Sequence, residues 1–107
     1  MAEGPVTLEQ IAELRARIDA IDRALVAQLN SRAACALEIG ELKEQIHEPI
    51  YQPAREAEVL ANVRDANQGP LNDEAIVRLF ERIIDEARRL ERVAAARRAA
   101  AGDPGQQ

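Results

Sequence analysis

The sequence predicts an all-α protein of three helices with a very long first helix. Three observations predict it. Gly and Pro cluster at 4–5, 49–53, 69–70 and 102–105, leaving long unbroken stretches between. Apolar residues in those stretches recur in steps of three and four, the period of a helix face. Only one Thr and one Ser occur, and the β-branched residues sit mostly at helical spacing.

The first helix starts at Thr7. Thr7-Leu8-Glu9-Gln10 has capping-box form, the hydroxyl meeting the amide three residues on and the Gln side chain reaching back. Its stripe runs Leu8, Ile11, Leu14 or Ile18, Ile21, Leu25, Leu29, Ala36, Ile39, Leu42 or Lys43, and Ile46, with no stop signal before His47-Glu48-Pro49. The second helix begins near Pro53, which suits the first helical position. It carries Glu56, Val59, Leu60 and Val63 and ends at Asn67-Gln68-Gly69-Pro70. The third starts with Asn72 as cap and Asp73-Glu74 in the first turn, where negative charge suits the dipole. Its stripe is Ile76, Leu79, Phe80, Ile83, Ile84, Ala87 and Leu90. The expected organisation is a flexible N-terminus (1–6), a helical domain (7–93), and a fraying helix end with a disordered tail (94–107).

Composition limits what this fold can do. Of 107 residues, 50 are apolar but 21 of these are Ala, and there is one Phe, one Tyr and no Trp. So few large side chains make a thin core for one chain. About 40 residues at 1.5 Å make the first helix roughly 60 Å long. A compact chain of this length is only ~34 Å across. The first helix therefore overhangs its own domain while staying apolar along one face, and a second copy would cover it. An intertwined homodimer is expected.

The same counts exclude other classes. No apolar run reaches the ~18 residues of a membrane span, and residues 1–10 lack the basic and apolar regions of a secretory signal. A cytoplasmic protein is expected. A single cysteine, Cys35, and a single histidine, His47, leave no disulfide framework and no Cys/His metal cage. Cys35 reads as a small packing residue and His47 as a solvent-facing helix end. A net charge of −5 argues against nucleic acid as a partner.

Cations on the apolar stripe are the informative charges. Arg32 and Lys43 are eleven residues apart, within ~20° of each other and ~16 Å along an ideal helix. Arg15 lies ~25 Å from Arg32 and points ~100° away, so one helix cannot bring both to one small molecule. Across an antiparallel pair of long helices, Arg15 of one chain could approach Arg32 and Lys43 of the other. Arg55 and Glu56 at the second helix's start, and Glu91 at the edge of the third helix's apolar face, join the set. Arginine binds carboxylates in bidentate fashion and lysine acts as a point charge. The set therefore suits a compact dicarboxylate. No Ser-His-Asp set, Cys dyad or glycine-rich phosphate loop is present, so an enzyme here would act by shape and electrostatics.

These residues resemble the all-helical, AroQ-type chorismate mutases. Leu14-Arg15-x-x-Ile18-Asp19-x-Ile21-Asp22, Leu29-x-x-Arg32 and Ile39-Gly40-x-x-Lys43 resemble that family's long first helix. Pro49-Ile50-Tyr51-Gln52-Pro53-Ala54-Arg55-Glu56-Ala57-Glu58-Val59-Leu60 resembles the entry to its second. Gly69-Pro70-Leu71 and Arg78-Leu79-Phe80-x-x-Ile83-Ile84 resemble its third. The resemblance covers residues 8–92 and is closest to the mutase domain fused to prephenate dehydratase. With no dehydratase following, a free-standing mutase or an excised domain is expected.

The resemblance implies a domain-swapped dimer with two sites, and rearrangement of chorismate to prephenate on the way to Phe and Tyr. It implies no cofactor. By position, Arg15 of the partner subunit and Arg32 would hold carboxylates. Lys43 would contact a carboxylate and the ether oxygen, and Glu91 would occupy the ether-contacting position. Arg55 would support the carboxylate end, and Glu56 would accept from the ring hydroxyl. Three positions depart from the family pattern: Gln52 where Asp is frequent, Ala87 where Ser occurs, and Glu91 where some members have Gln. Two alternatives share these features: an isochorismate–pyruvate lyase, and a non-catalytic helical dimerisation or regulatory module.

Overall fold

A computed structural model describes residues 6–102. Residues 1–5 and 103–107, where the flexible start and most of the tail were expected, lie outside the described residues. Three helices make up the fold: α1 (Leu8–Gln45), α2 (Pro53–Ala66) and α3 (Asp73–Ala101). The all-helical, three-helix expectation is met, and at 38 residues α1 is about 57 Å long.

The capping box forms as its spacing predicts. Gln10 N–H donates to Thr7 Oγ1 (3.2 Å), and Thr7 N–H donates to Gln10 Oε1 (2.8 Å). The other end of α1 closes with a Schellman motif. Glu48 N–H donates to the Lys43 carbonyl (2.8 Å) and His47 N–H to that of Glu44 (3.3 Å). This geometry requires a left-handed residue, and His47 supplies it at φ 60°. His47 is exposed and pays the Cβ penalty that glycine escapes. His47→Gly is therefore expected to stabilise the protein by about 1 kcal/mol. A higher urea midpoint at unchanged slope would show it.

Pro53 opens α2 as expected, with Gln52 as N-cap. Between α2 and α3, Asn67 organises the turn. Its side-chain amide donates to the Leu71 carbonyl and to Asp73 Oδ1, both at 2.8 Å, while its Oδ1 accepts from Gly69 N–H. Gly69 has φ 74°, and the Gly69–Pro70 bond is cis. Asn72 caps α3 by accepting from Ala75 N–H at 2.8 Å.

The described residues divide into two units, one ending at Arg32 and the other beginning at Ala33. The first holds the N-terminal part of α1. In the second, α2 and α3 pack against each other, with Val59, Leu60, Val63, Ile76, Phe80 and Ile83 half-buried. Two stripe residues of α3, Leu79 and Leu90, remain exposed. Beyond residue 93, where fraying was expected, α3 stays helical to Ala101. Ala94, Ala95 and Arg98 are half-buried there, and Arg98 pairs with Glu44 at 3.1 Å, tying this turn to the end of α1.

The core of one chain is thinner than composition alone suggests. Ile84 is the sole buried apolar side chain among the described residues. On α1, Ile11, Leu14, Ile18, Ile21, Leu25 and Leu29 are 38–56% exposed. No helix among the described residues is long and apolar enough to cross a membrane.

Candidate functional site

Glu91 is the one buried charged residue among the described residues, with 9% of its surface accessible. Its place on α3 follows the apolar period from Ile84, which points it inward. What admits it is Gly40. A Cβ at residue 40 would meet Glu91 Oε1 at 3.2 Å and its Cγ at 3.4 Å. The missing side chain on α1 thus makes the notch into which the carboxyl group fits.

Lys43, one turn after Gly40, lies on the same face of α1. Its Nζ is 3.9 Å from Glu91 Oε1 and donates to the Ile50 carbonyl at 3.2 Å. That bond draws the ammonium to the loop between α1 and α2. Both Lys43 and Glu91 side chains are largely shielded from solvent. Burial pushes the Glu91 carboxyl above the ordinary carboxylate range, and the cations of Lys43 and Arg88 oppose the rise without cancelling it. Which influence dominates could not be read from sequence, because it depends on how deeply Gly40 lets the group in.

A second cluster flanks this pair. Arg88 Nη2 donates to both oxygens of Glu56, at 2.7 and 2.6 Å. Its guanidinium lies over the Tyr51 ring, 4.8 Å from the centroid. Glu56 sits in the first turn of α2, which orients it towards α3. Gln52 is half-buried, and its carbonyl accepts from the Arg55 and Glu56 amides at 3.1 and 3.2 Å. Ala87 is half-buried one turn before Glu91.

The sequence-predicted residues are thus gathered unevenly. Lys43 and Glu91 converge, with Glu56 beside them through Arg88. Arg55 stands apart: it is exposed, and its guanidinium pairs with Glu58 on its own helix. Arg15 and Arg32 belong to the other unit, where Arg15 is exposed and Arg32 half-buried. Among the described residues, no group of His, Cys, Asp and Glu is arranged to hold a metal ion.

The chain that carries this buried carboxyl and its neighbouring lysine matches a known family. Residues 14–92 match the model of chorismate mutase type II. The chain belongs to this family.

A bifunctional chorismate mutase/prephenate dehydratase of Pseudomonas aeruginosa is 38% identical over 88 residues, covering 78% of this chain and 24% of that protein. The chain spans about a quarter of the length of the bifunctional relatives it matches. Two solved structures share the fold. Chorismate mutase (form II) of Thermus thermophilus has TM-score 0.76 and 36% identity, covering 78% of this chain and 94% of that one. Chorismate mutase of Helicobacter pylori, solved in complex with prephenate, has TM-score 0.76 and 31% identity, covering 82% and 96%.

Two features of this family member's site escaped sequence reasoning. Gly40 was part of a motif, but its function as a notch depends on α3 packing against it. Arg88, one of 14 Lys and Arg residues, is not in the sequence-predicted set. A signal did exist: position 88 follows Ile84 by four and precedes Glu91 by three, so it shares the buried face.

Proposed function

We propose that this chain is a chorismate mutase, converting chorismate to prephenate on the route to Phe and Tyr as a cytoplasmic, domain-swapped homodimer. The observation that carries the reading is the shielded Lys43–Glu91 pair in a chain of this family. Two donors 3.9 Å apart can both reach one oxygen at about 2.9 Å. An ether oxygen gaining negative charge as its C–O bond breaks is such an acceptor. Lys43 donates always; Glu91 donates when protonated, the form its burial favours. Donors aimed at charge that develops only in the transition state lower the barrier.

The substrate's carboxylates need further cations. Arg32, together with Arg15 of the partner subunit, supplies them in this reading, with Arg55 at the carboxylate end. Glu56 accepts from the ring hydroxyl, while Gln52 and Ala87 line the site. Clamping the flexible substrate in its folded conformer provides the remaining acceleration. The exposed apolar face of α1 supports a second copy, since uncovered leucines and isoleucines along a whole helix would lose the benefit of burial. The unpaired Cys35 suits a reducing compartment.

The test is to mix purified protein with chorismate, and separately with isochorismate, and follow the loss of each absorbance. Chorismate loss with prephenate formation supports the reading. Pyruvate release from isochorismate alone, or no reaction with either, would overturn it. Light scattering should give twice the chain mass. The notch adds a sharper expectation. Gly40→Ala should lower kcat about tenfold, because a Cβ displaces the Glu91 carboxyl by tenths of an ångström and misplaced donors forfeit rate. Unchanged kcat would show that Glu91's position is not critical.

A further inference from the structure

We propose that Arg88 is a positioning residue for the substrate's ring hydroxyl, acting through Glu56. The inference rests on the chorismate mutase reading above. Its basis is a contact that joins two helices across 32 residues of sequence: one nitrogen of Arg88 bridges both oxygens of Glu56 at 2.7 and 2.6 Å.

That geometry holds the carboxylate in one orientation. A glutamate at a helix start otherwise samples several rotamers. A bridging nitrogen occupies the inner lone pair of each oxygen and leaves the outer ones free to accept. The carboxylate is thus fixed and still able to accept from a hydroxyl donor.

Arg88 is itself held for this purpose. Tyr51 stacks on its guanidinium, and Asp85 lies 3.6 Å from the same Nη2. Its Nε, however, is buried with no hydrogen-bond partner. An arginine placed for its own stability would satisfy its buried donors; leaving one orphaned is unfavourable. The side chain therefore gives up one bond while keeping its grip on Glu56. A plain α2–α3 tie is the competing explanation, and the two differ in what they do to substrate.

The experiment compares wild type, Arg88→Gln and Arg88→Lys on chorismate and on the analogue lacking the ring hydroxyl. The hydroxyl takes no part in the bond changes, so the analogue can still rearrange. Arg88→Gln is expected to raise KM for chorismate about tenfold with kcat nearly unchanged, as lost uniform binding does. Arg88→Lys, which keeps a charge opposite Glu56, should lose less. On the analogue, assayed below the raised Glu91 value so that Glu91 stays protonated with or without the Arg88 cation, both variants should stay within about twofold of wild type. In a Glu56→Gln background, Arg88→Gln should cost little more, because the residue acts through Glu56.

Equal losses on both substrates, or a full further loss in the Glu56→Gln background, would overturn the assignment. If Arg88→Gln does not fold, Arg88→Lys and the double variant carry the same comparison. Normal wild-type turnover with equal losses defeats this assignment alone. Absence of wild-type turnover defeats the chorismate mutase reading, and this assignment with it.

Discussion

Lys43→Ala is expected to lower kcat/KM for chorismate by about three orders of magnitude while leaving the helices folded. Removing one preorganised donor from a developing oxyanion costs about 3–4 kcal/mol of barrier stabilisation. In the proposed mechanism Lys43 is such a donor; it is held by the Ile50 carbonyl at 3.2 Å and shielded from solvent, so water cannot readily replace it. The structural loss is smaller: one hydrogen bond, about 1 kcal/mol. Stability and activity should therefore separate clearly. Far-UV circular dichroism and the unfolding midpoint would change little, whereas turnover would nearly vanish. Turnover near the wild-type level would remove Lys43 from the mechanism.

Glu91→Gln is expected to abolish the alkaline fall in activity. In its proposed role Glu91 would donate to the ether oxygen only when protonated, so wild-type rate should follow its protonated fraction. Burial raises its pKa, against the opposing cations Lys43 and Arg88. Above that raised value, wild-type activity should fall about tenfold per pH unit. Glutamine donates at every pH, so the variant should be nearly flat and overtake wild type at alkaline pH. Inactivity of the variant at all pH values would show that Glu91 acts otherwise.

Stability carries the same sign. Below the ordinary carboxylate range, Glu91 is protonated in both folded and unfolded chains. As pH rises from that ordinary value to the raised folded value, the unfolded chain loses the proton first, so folding stability declines. Glu91→Gln removes this decline. Chemical denaturation across the same pH series would show it, independently of any substrate.

Much of the fold was legible because it depends on local chemistry. The Thr7–Gln10 box, Pro53 at a helix start and the Asn72 cap each need only residues within a turn. Lys43 was legible as a cation on an apolar face, and Glu91 only as an edge residue. Arg88 was missed because, among 14 Lys and Arg, its partner Glu56 lies 32 residues away. The Arg98–Glu44 pair, which ties the last turns of α3 to the end of α1, is likewise non-local.

By itself, then, the sequence determined the helices, their starts, and a candidate set of cations and carboxylates. Periodicity and capping report on neighbours three or four residues apart, and this information is complete within each helix. Only the tertiary structure decided that Gly40 opens a notch for Glu91, that burial outweighs Lys43 and Arg88 in raising its pKa, and that Arg88 holds Glu56. Each of these depends on how closely two helices approach. A difference of tenths of an ångström at Gly40 decides whether a carboxyl is buried, and no one-dimensional spacing records that distance.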